Sequence, residues 1–247
     1  MPGSNARAIE KARTLPVDAV ILDLEDSVAP DAKASARAQV AGAVAAGGFG
    51  AREVVVRVNG LDTPWHVDDV TAAAHAAPDA ILVPKISSPH ELDAIGRRLF
   101  DLKTDLRTRV WAMIETPLAI FNILALAAEA HDSETRLTAF VLGTNDLGDS
   151  EGFARECAQG RELGFDGKTL IHPGQIAACN VAFSPSEDEV AQARKVIAAF
   201  ALPENRDKGV VQLDGRMIER LHADIARRTL AIHTAIETRA SQVQPAA

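Results

Sequence analysis

A TIM barrel, the closed (β/α)8 arrangement of parallel strands and helices, is the fold class that this sequence predicts, on three observations. Short apolar runs alternate with helical segments along most of the 247 residues. The apolar runs are continuous rather than alternating with polar residues, which is typical of parallel strands covered on both faces. Charged residues follow several runs directly, at the strand ends where such barrels carry their chemistry.

Six apolar runs predict the strands, at residues 19–24, 54–58, 80–84, 110–114, 138–142 and 168–172. The helices between and after them are predicted at 5–15, 31–46, 67–77, 88–99, 118–131, 186–200 and 215–239. Ser88-Pro89-His90-Glu91 is a capping box with proline at the first helical position. No Gly-x-Gly-x-x-Gly follows the first run, which disfavours a dinucleotide-binding sheet.

The strand count falls short of the eight that close a barrel. Nothing in the sequence ahead of Met1-Pro2-Gly3 supplies a first strand, and the few residues between Leu147 and Phe153 leave no room for a βα unit of about 30 residues. We expect a barrel that lacks its first strand and one later helix–strand section. If the sequence joins separate segments there, consecutive Cα atoms near residues 147–150 will lie farther apart than the roughly 3.8 Å of a trans peptide.

Residues 1–200 are predicted to form the catalytic barrel, and residues 201–247 a helical extension that packs on a neighbouring subunit.

A net charge of −8 and a pI near 5.4 argue against nucleic acid as a partner. The N-terminus lacks the apolar core of a signal peptide, and the apolar stretch at 118–128 is too short to span a bilayer. A cytoplasmic protein that acts on a small molecule is expected.

Two carboxylates are candidate metal ligands, because each follows an apolar run directly or closely. Glu115 ends the fourth run and Asp146 follows the fifth. Two carboxylates, together with waters and a chelating substrate, are the usual ligands of protein-bound Mg²⁺. The alternative is that each caps the following helix or pairs with an arginine, and the spacing leaves both interpretations open.

Arg57, at the end of the second run, offers a planar fork for a substrate carboxylate. The alternative is a structural ion pair with Glu25 or Asp26. Those two acids, with Asp23, are predicted to hold metal-bound waters, to orient Arg57 or to cap the next helix. The segment Gly143-Thr144-Asn145 lets the backbone approach a ligand closely.

Seven motifs resemble, in sequence and in order, the citrate lyase β-subunit-like family of CoA-ester lyases in the aldolase superfamily. They are PGSNARAIEKA, AVILDLEDSVAPDAKASAR, VVVRVNG, ILVPKISSPHEL, IETPLAIFNI, LGTNDL and GFDGKTLIHPGQI. The C-terminal LDGRMIERLHADIARRTL is most similar to the malyl-CoA and citramalyl-CoA lyase branch. The resemblance implies a TIM barrel, a Mg²⁺ ion, a homotrimer or homohexamer, and chemistry on a 2-oxo acid and an acyl-CoA.

The same resemblance implies roles for individual residues. The metal ligands fall on Glu115 and Asp146, the arginine that binds the substrate carboxylate falls on Arg57, and the acids that hold metal-bound water fall on Glu25 and Asp26. Coenzyme A would be contacted near Ser4 and Arg7. The catalytic base that reaches into a neighbouring subunit's site, usually Asp in the family, falls on Glu219, whose side chain is one methylene longer.

The expected function is Mg²⁺-dependent cleavage, or formation, of a 3-hydroxyacyl-CoA such as malyl-CoA or citramalyl-CoA, with a 2-oxo acid and an acyl-CoA as the other partners. Some relatives of this kind also hydrolyse the thioester. A metal-dependent aldolase that uses free 2-oxo acids without CoA is a second interpretation. A non-catalytic citrate-lyase-like subunit is a third.

Overall fold

The computed structural model describes residues 1–143 and 150–243. Its strands are β1 (Ala19–Asp23), β2 (Glu53–Arg57), β3 (Ala80–Val83), β4 (Arg109–Ile114), β5 (Leu137–Leu142), β6 (Val210–Leu213) and β7 (Arg216–Glu219). Its α-helices are α1 (Ala6–Ala12), α2 (Lys33–Ala46), α3 (His66–Ala76), α4 (Pro89–Asp101), α5 (Pro117–Phe121), α6 (Ile123–Ala128), α7 (Ser150–Glu162), α8 (Ile176–Phe183), α9 (Glu187–Ala201) and α10 (Arg220–Val243). The expectation about Cα separations near residues 147–150 lies outside the described residues.

Strands β1 to β5 form one parallel sheet in which neighbours in sequence are neighbours in space. The register pairs Ala19 with Glu53 at one end of β1 and β2, and Asp23 with Arg57 at the other. Helices separate the consecutive strands, as the alternating pattern predicts, and the capping box of Ser88 and Glu91 opens α4. The parallel α/β architecture is therefore confirmed, and all five carboxyl ends meet at one edge of the sheet.

The sheet buries its two faces unequally. Leu22, Val56 and Ile81 lie in the main core together with apolar residues of the covering helices. The opposite face contributes a smaller cluster around Leu82 and Met113, with several partly buried residues packed against it. A closed barrel buries both faces fully. Closure of this sheet stays a prediction, since the described strands form an open, five-stranded array.

The predicted strand at 168–172 is wrong, because this segment forms no strand in the structure. An isolated extended segment gains no ladder hydrogen bonds, and no strand in the described part of the chain pairs with this one. His172 instead accepts a hydrogen bond from the Gly174 N–H through Nδ1 at 3.1 Å and precedes a short 3₁₀ turn at Pro173–Gln175.

The predicted helix at 215–239 begins five residues later than expected. Strands β6 and β7 form an antiparallel hairpin, and α10 starts at Arg220. The turn is Asp214-Gly215, whose φ angles are 49° and 77°. Asp-Gly is a strong signal for a two-residue hairpin turn with both φ angles positive, and it overrides the helical pattern of the residues that follow.

The chain divides into two compact units. The first comprises residues 1–143 and 169–176, and the second comprises residues 150–168 and 177–243. The second unit has its own core, in which α9, the hairpin and α10 meet through residues such as Val196, Val211 and Ala223. No described helix is both long and apolar enough to cross a membrane. The predicted division at residue 200 stays a prediction.

Candidate active site

The carboxyl ends of four neighbouring strands place five charged side chains in one cluster in the first unit. Asp23 is the last residue of β1, and Glu25 follows two residues later. Arg57 ends β2, and Lys85 lies two residues beyond β3. Glu115 comes directly after β4. Because parallel strands end at the same edge, the sequence positions alone bring these groups near one another.

Arg57 is held by a bidentate ion pair with Asp23. Arg57 Nε and Nη2 donate to the two Asp23 oxygens at 2.6 Å and 2.7 Å, and the Ser27 hydroxyl also donates to Asp23 Oδ2. Burial alone raises the pKa of Asp23, but the hydrogen bonds and charge of Arg57 outweigh burial and hold that pKa at about 2. The carboxylate is therefore ionised throughout the physiological range, and it fixes one edge of the guanidinium.

Glu25 lies between two cations. Its Oε2 is 3.2 Å from Arg57 Nη1, and its Oε1 accepts a hydrogen bond from Lys85 Nζ at 2.8 Å. The residue is 4% exposed, and Oε2 has no well-aligned hydrogen-bond partner among the described residues. Burial raises the pKa of Glu25, although Lys85 and Arg57 act in the opposite direction.

Glu115 is exposed where β4 gives way to α5. Thr116 caps the helix by accepting a hydrogen bond from the Ala119 N–H at 3.1 Å. Glu115 Oε1 accepts the Lys85 main-chain N–H at 2.9 Å. A Cβ atom on Gly143 would lie 2.8 Å from Glu115 Cβ and 2.9 Å from Oε2, closer than real Cβ contacts. Glycine at position 143 therefore leaves the space that this carboxylate occupies.

A buried polar network supports the segment that carries Glu25. Lys33 Nζ donates to the carbonyl oxygens of Leu24 and Glu25 at 2.7 Å and 2.8 Å, and to Asn59 Oδ1 at 2.6 Å. Asn59 is in turn bonded to Asp69 of α3. Burial lowers the pKa of Lys33. Because a partly satisfied buried network is costly, these contacts fix the backbone at Glu25 in one conformation.

The predicted site residues are placed differently from one another. Glu25, Arg57 and Glu115 lie in the cluster, with Gly143 against Glu115, and Asp26 is exposed beside Glu25 in the chain. The predicted alternative for Arg57 is observed in part, since the ion pair is made with Asp23 and Glu25. Three predicted residues, Thr144, Asn145 and Asp146, lie outside the described residues.

The other three predicted residues lie apart from the cluster in the chain. Ser4 and Arg7 are exposed at the start of α1. Glu219 belongs to the second unit, where it is exposed at the end of β7, and its main-chain N–H donates to His222 Nδ1 at 2.9 Å. Each of these three assignments stays a prediction.

Sequence reasoning missed Lys85, which contacts both Glu25 and Glu115. Its position just after an apolar run, in VPK, is the same signal that singled out Arg57 and Glu115. Its φ angle of 58° has no signature in the sequence, because lysine carries no preference for that conformation.

The oxygen donors of the cluster fit a hard divalent cation. Glu115 uses Oε1 for the Lys85 N–H, and no hydrogen bond to its Oε2 is seen in the described ranges. A free carboxylate oxygen at the open edge of a sheet is a ligand that Mg²⁺ accepts, with water completing its shell. The second predicted ligand, Asp146, is outside those ranges, so the fit rests on Glu115 and the acids around it.

The parallel α/β sheet carries a cluster of acidic and basic side chains at the carboxyl ends of its strands. This arrangement is typical of α/β enzymes, whose active sites lie at those strand ends. The model of the HpcH/HpaI aldolase/citrate lyase family matches residues 1–152, and that of a C–C bond lyase of the TIM-barrel fold matches residues 97–234. The chain belongs to the HpcH/HpaI aldolase/citrate lyase family. The predicted resemblance and the predicted class of carbon–carbon lyase are confirmed.

Two relatives cover nearly the whole chain. A (3S)-malyl-CoA thioesterase of Cereibacter sphaeroides is 40% identical over 277 positions, which take in 96% of this chain and 93% of the relative. A citrate lyase subunit beta of Leuconostoc mesenteroides subsp. cremoris is 30% identical, over 95% of this chain and 92% of the relative. Since 96% of the 247 residues is about 237, about 40 of the 277 positions have no residue in this chain.

Solved structures share the fold. A citrate lyase from Burkholderia xenovorans has a TM-score of 0.75 at 20% identity, over 93% of this chain and 88% of that one. CitE from Mycobacterium tuberculosis, in complex with magnesium, acetoacetate and coenzyme A, has a TM-score of 0.68 at 24% identity, over 94% and 95%. That structure contains Mg²⁺ and coenzyme A, the two ligands that the sequence predicts for this chain.

Proposed function

We propose that this chain is a Mg²⁺-dependent CoA-ester lyase that cleaves or forms a 3-hydroxyacyl-CoA such as malyl-CoA or citramalyl-CoA. The observation that carries the proposal is the joined cluster of Arg57, Glu25, Lys85 and Glu115 at the strand ends. Its support from outside the structure is the 40% identity to a protein named for malyl-CoA.

Arg57 binds the substrate carboxylate. A guanidinium has two edges that each present a pair of N–H groups, and Asp23 occupies the edge formed by Nε and Nη2. At the edge formed by Nη1 and Nη2, Nη1 lies 3.2 Å from Glu25 Oε2 and donates to Met113 Sδ at 4.0 Å. A second carboxylate would bind there through the remaining N–H of Nη2 and by displacing the weak contact with sulfur. Because Asp23 already immobilises the side chain, little conformational entropy is lost when the substrate binds.

Glu115 and Asp146 hold the metal, and Glu25 and Asp26 hold its waters. Mg²⁺ bound there supplies Lewis-acid polarisation of the substrate hydroxyl and carboxylate oxygens. Glu115 meets this role through its Oε2, because Oε1 is already fixed by the Lys85 N–H. The carboxylates and Arg57 together orient the reacting carbon–carbon bond, which is the entropic part of catalysis.

Glu219 of a neighbouring subunit exchanges the proton at the carbon next to the thioester. In the cleavage direction the substrate hydroxyl loses its proton and becomes the carbonyl of the 2-oxo acid. The bond between that carbon and the α-carbon breaks, and the α-carbon takes up a proton. In the condensation direction Glu219 removes that proton as a general base. Its exposure at the end of β7 is what a residue that serves a neighbouring subunit requires.

Ser4 and Arg7 contact coenzyme A.

A homotrimer or homohexamer brings Glu219 to that site. Helix α10 supports the assembly, because it carries apolar residues that are between 39% and 63% exposed and recur at intervals of four and seven residues. They are Leu221, Ile225, Ile232 and Ile236. An apolar stripe of this kind on a long helix is typical of a surface that another chain covers. Residues 201–247 are the segment that would pack there.

We infer that the sequence between β5 and α7 is too short to supply one helix and one strand of a complete barrel. The roughly 40 alignment positions without a residue in this chain support this inference, because such a section takes about 30 residues. Grafting the corresponding section of the Cereibacter sphaeroides relative after Leu147 is expected to raise the Tm by providing the sheet with a further strand. An unchanged or lower Tm in the grafted chain would contradict the inference.

Hydrolysis of the thioester is the second candidate function, because the 40% identical relative is named a thioesterase. The products separate the two reactions. Cleavage of malyl-CoA gives a 2-oxo acid and acetyl-CoA, whereas hydrolysis gives malate and free CoA. We expect the 2-oxo acid to form first and in an amount equal to the ester consumed. Free CoA without 2-oxo acid would favour hydrolysis, and turnover of free acids alone would favour the CoA-independent aldolase.

A further inference from the structure

Lys85 is the described residue that hydrogen-bonds to both Glu25 and Glu115. Its ammonium Nζ donates to Glu25 Oε1 at 2.8 Å, and its main-chain N–H donates to Glu115 Oε1 at 2.9 Å. These two acids follow strands β1 and β4, while Lys85 follows β3. One residue therefore ties together acids from two other strand ends by two independent groups.

The backbone of Lys85 is in the left-handed region, with φ at 58°. Residues other than glycine adopt this region at an energetic cost, and the surrounding structure must compensate for that cost. Four other described residues of this kind lie at the end of a helix or in a connection or turn, namely Ala77, Lys103, Arg136 and Asp214. Lys85 differs from them, because its conformation follows a strand and directs its N–H at a carboxylate.

We propose that Lys85 is a positioning residue for the Mg²⁺ site, with its main-chain N–H orienting Glu115 and its ammonium orienting Glu25. The inference rests on the proposed function. Glu115 is held through its Oε1, which leaves its Oε2 available to the metal. Glu25 is held at both oxygens, by Lys85 at Oε1 and by Arg57 at Oε2, so its position relative to Glu115 is fixed. Partners that orient metal-site acids in this way raise the affinity of the site without being ligands themselves.

Two variants separate the contributions of the main chain and the ammonium. Lys85→Asn removes the ammonium and keeps a residue that tolerates the left-handed region. Lys85→Val removes the ammonium and also strains the backbone, because β-branched residues are the least compatible with positive φ. Lys103 provides the matched control, since it is an exposed lysine with φ at 54° and no contact with the cluster among the described residues.

The measurement is the Mg²⁺ concentration that gives half of the maximal rise in Tm, taken without substrate. We expect Lys85→Asn to raise this concentration roughly 10-fold and Lys85→Val to raise it further, toward 100-fold. The two Lys103 variants are expected to match the wild type. Should Lys85→Val fail to fold, Lys85→Ala takes its place, because alanine is also disfavoured at positive φ but lacks the branched side chain.

The outcomes that overturn the proposal are distinct from those that overturn the function. If the Mg²⁺ midpoint of Lys85→Asn equals that of the wild type, the ammonium has no role. If Lys85→Asn and Lys85→Val have the same Mg²⁺ midpoint, the main chain has no role. Both leave the proposed function standing if the wild type responds to Mg²⁺ and cleaves malyl-CoA. A wild type that shows neither response overturns the function, and the role of Lys85 with it.

Discussion

Asp23 and Arg57 are paired residues in the register of β1 and β2, and the Asp23 carboxylate holds the guanidinium by two hydrogen bonds of 2.6 Å and 2.7 Å. The pair immobilises an arginine at a strand end by occupying one edge of its guanidinium. Under the proposed function, a substrate carboxylate would therefore approach Arg57 at its other edge.

Arg57→Lys tests this arrangement. An ammonium is a point charge and cannot hold Asp23 by two parallel bonds while it binds a second carboxylate. We expect the KM for the 2-oxo acid in the condensation direction to rise roughly 10- to 100-fold, the equivalent of one lost charge-assisted hydrogen bond. Steady-state kinetics give the KM, with Arg107→Lys in an exposed ion pair as the control. A KM within error of the wild type would remove Arg57 from substrate binding.

The same pair makes the stability of the fold dependent on pH. The folded pKa of Asp23, about 2, is below its ordinary value of 3.8, because the bonds and charge of Arg57 outweigh burial. The contribution is therefore fully present above pH 3.8 and is lost as the pH falls toward 2, with a size of about 2 kcal/mol. Glu25, whose pKa burial raises, titrates above this window.

Urea denaturation at successive pH values between 4 and 2, in EDTA, measures that loss. Asp23→Asn is expected to be less stable at pH 7 and to lack this part of the pH dependence. Asp105→Asn, in an exposed pair with Arg107, is expected to retain it. Parallel pH profiles for the wild type and Asp23→Asn would show that the Asp23 carboxylate is not the group responsible.

Gly143→Ala tests the space beside Glu115. An added Cβ would lie 2.8 Å from Glu115 Cβ, so the backbone that carries Glu115 must shift. We expect a Mg²⁺ midpoint raised roughly 10-fold, a lower kcat and a lower Tm even without the metal, since a contact between two Cβ atoms is not relieved by rotation of the side chain. Gly209→Ala is the control, because nothing lies within 4 Å of its added Cβ. Wild-type Mg²⁺ affinity in Gly143→Ala would show that the contact has no role.

Mixed assemblies test the role of Glu219. If each site takes Glu115 from one chain and Glu219 from its neighbour, Glu115→Gln and Glu219→Gln chains are each inactive alone. Unfolded together and refolded as a random mixture, they are expected to recover about one quarter of wild-type activity, because one site in four combines both intact residues. No recovery, despite assemblies of wild-type size, would contradict a base supplied by the partner subunit.

Much of the fold follows from local sequence patterns. The apolar runs locate β1 to β5 to within a residue or two, because a strand buried on both faces leaves a continuous signal. The strand expected at 168–172 is not formed, because a strand needs a neighbour to pair with and no strand of the described ranges pairs with this segment. The β6–β7 hairpin was readable from Asp214-Gly215, but the helical periodicity of the following residues obscured it.

The site was predictable in outline and not in its connections. Strand-end positions identify Arg57, Glu25 and Glu115, because the ends of parallel strands meet. Which acid pairs with Arg57 depends on register, and the register placed Asp23 opposite it. The role of Lys85 depends on a backbone angle and on a side chain that reaches across to another strand end, and neither leaves a trace in the order of the residues.

Release of a 2-oxo acid from malyl-CoA and citramalyl-CoA, with Mg²⁺ and then with excess EDTA, measures whether the chain is a Mg²⁺-dependent lyase. We expect release from at least one ester, its loss in EDTA, and its absence in a folded Glu115→Ala variant under both conditions. The ratio of the two rates would then measure the size of the pocket. Release that persists in EDTA or in Glu115→Ala would contradict a Mg²⁺ site built on Glu115.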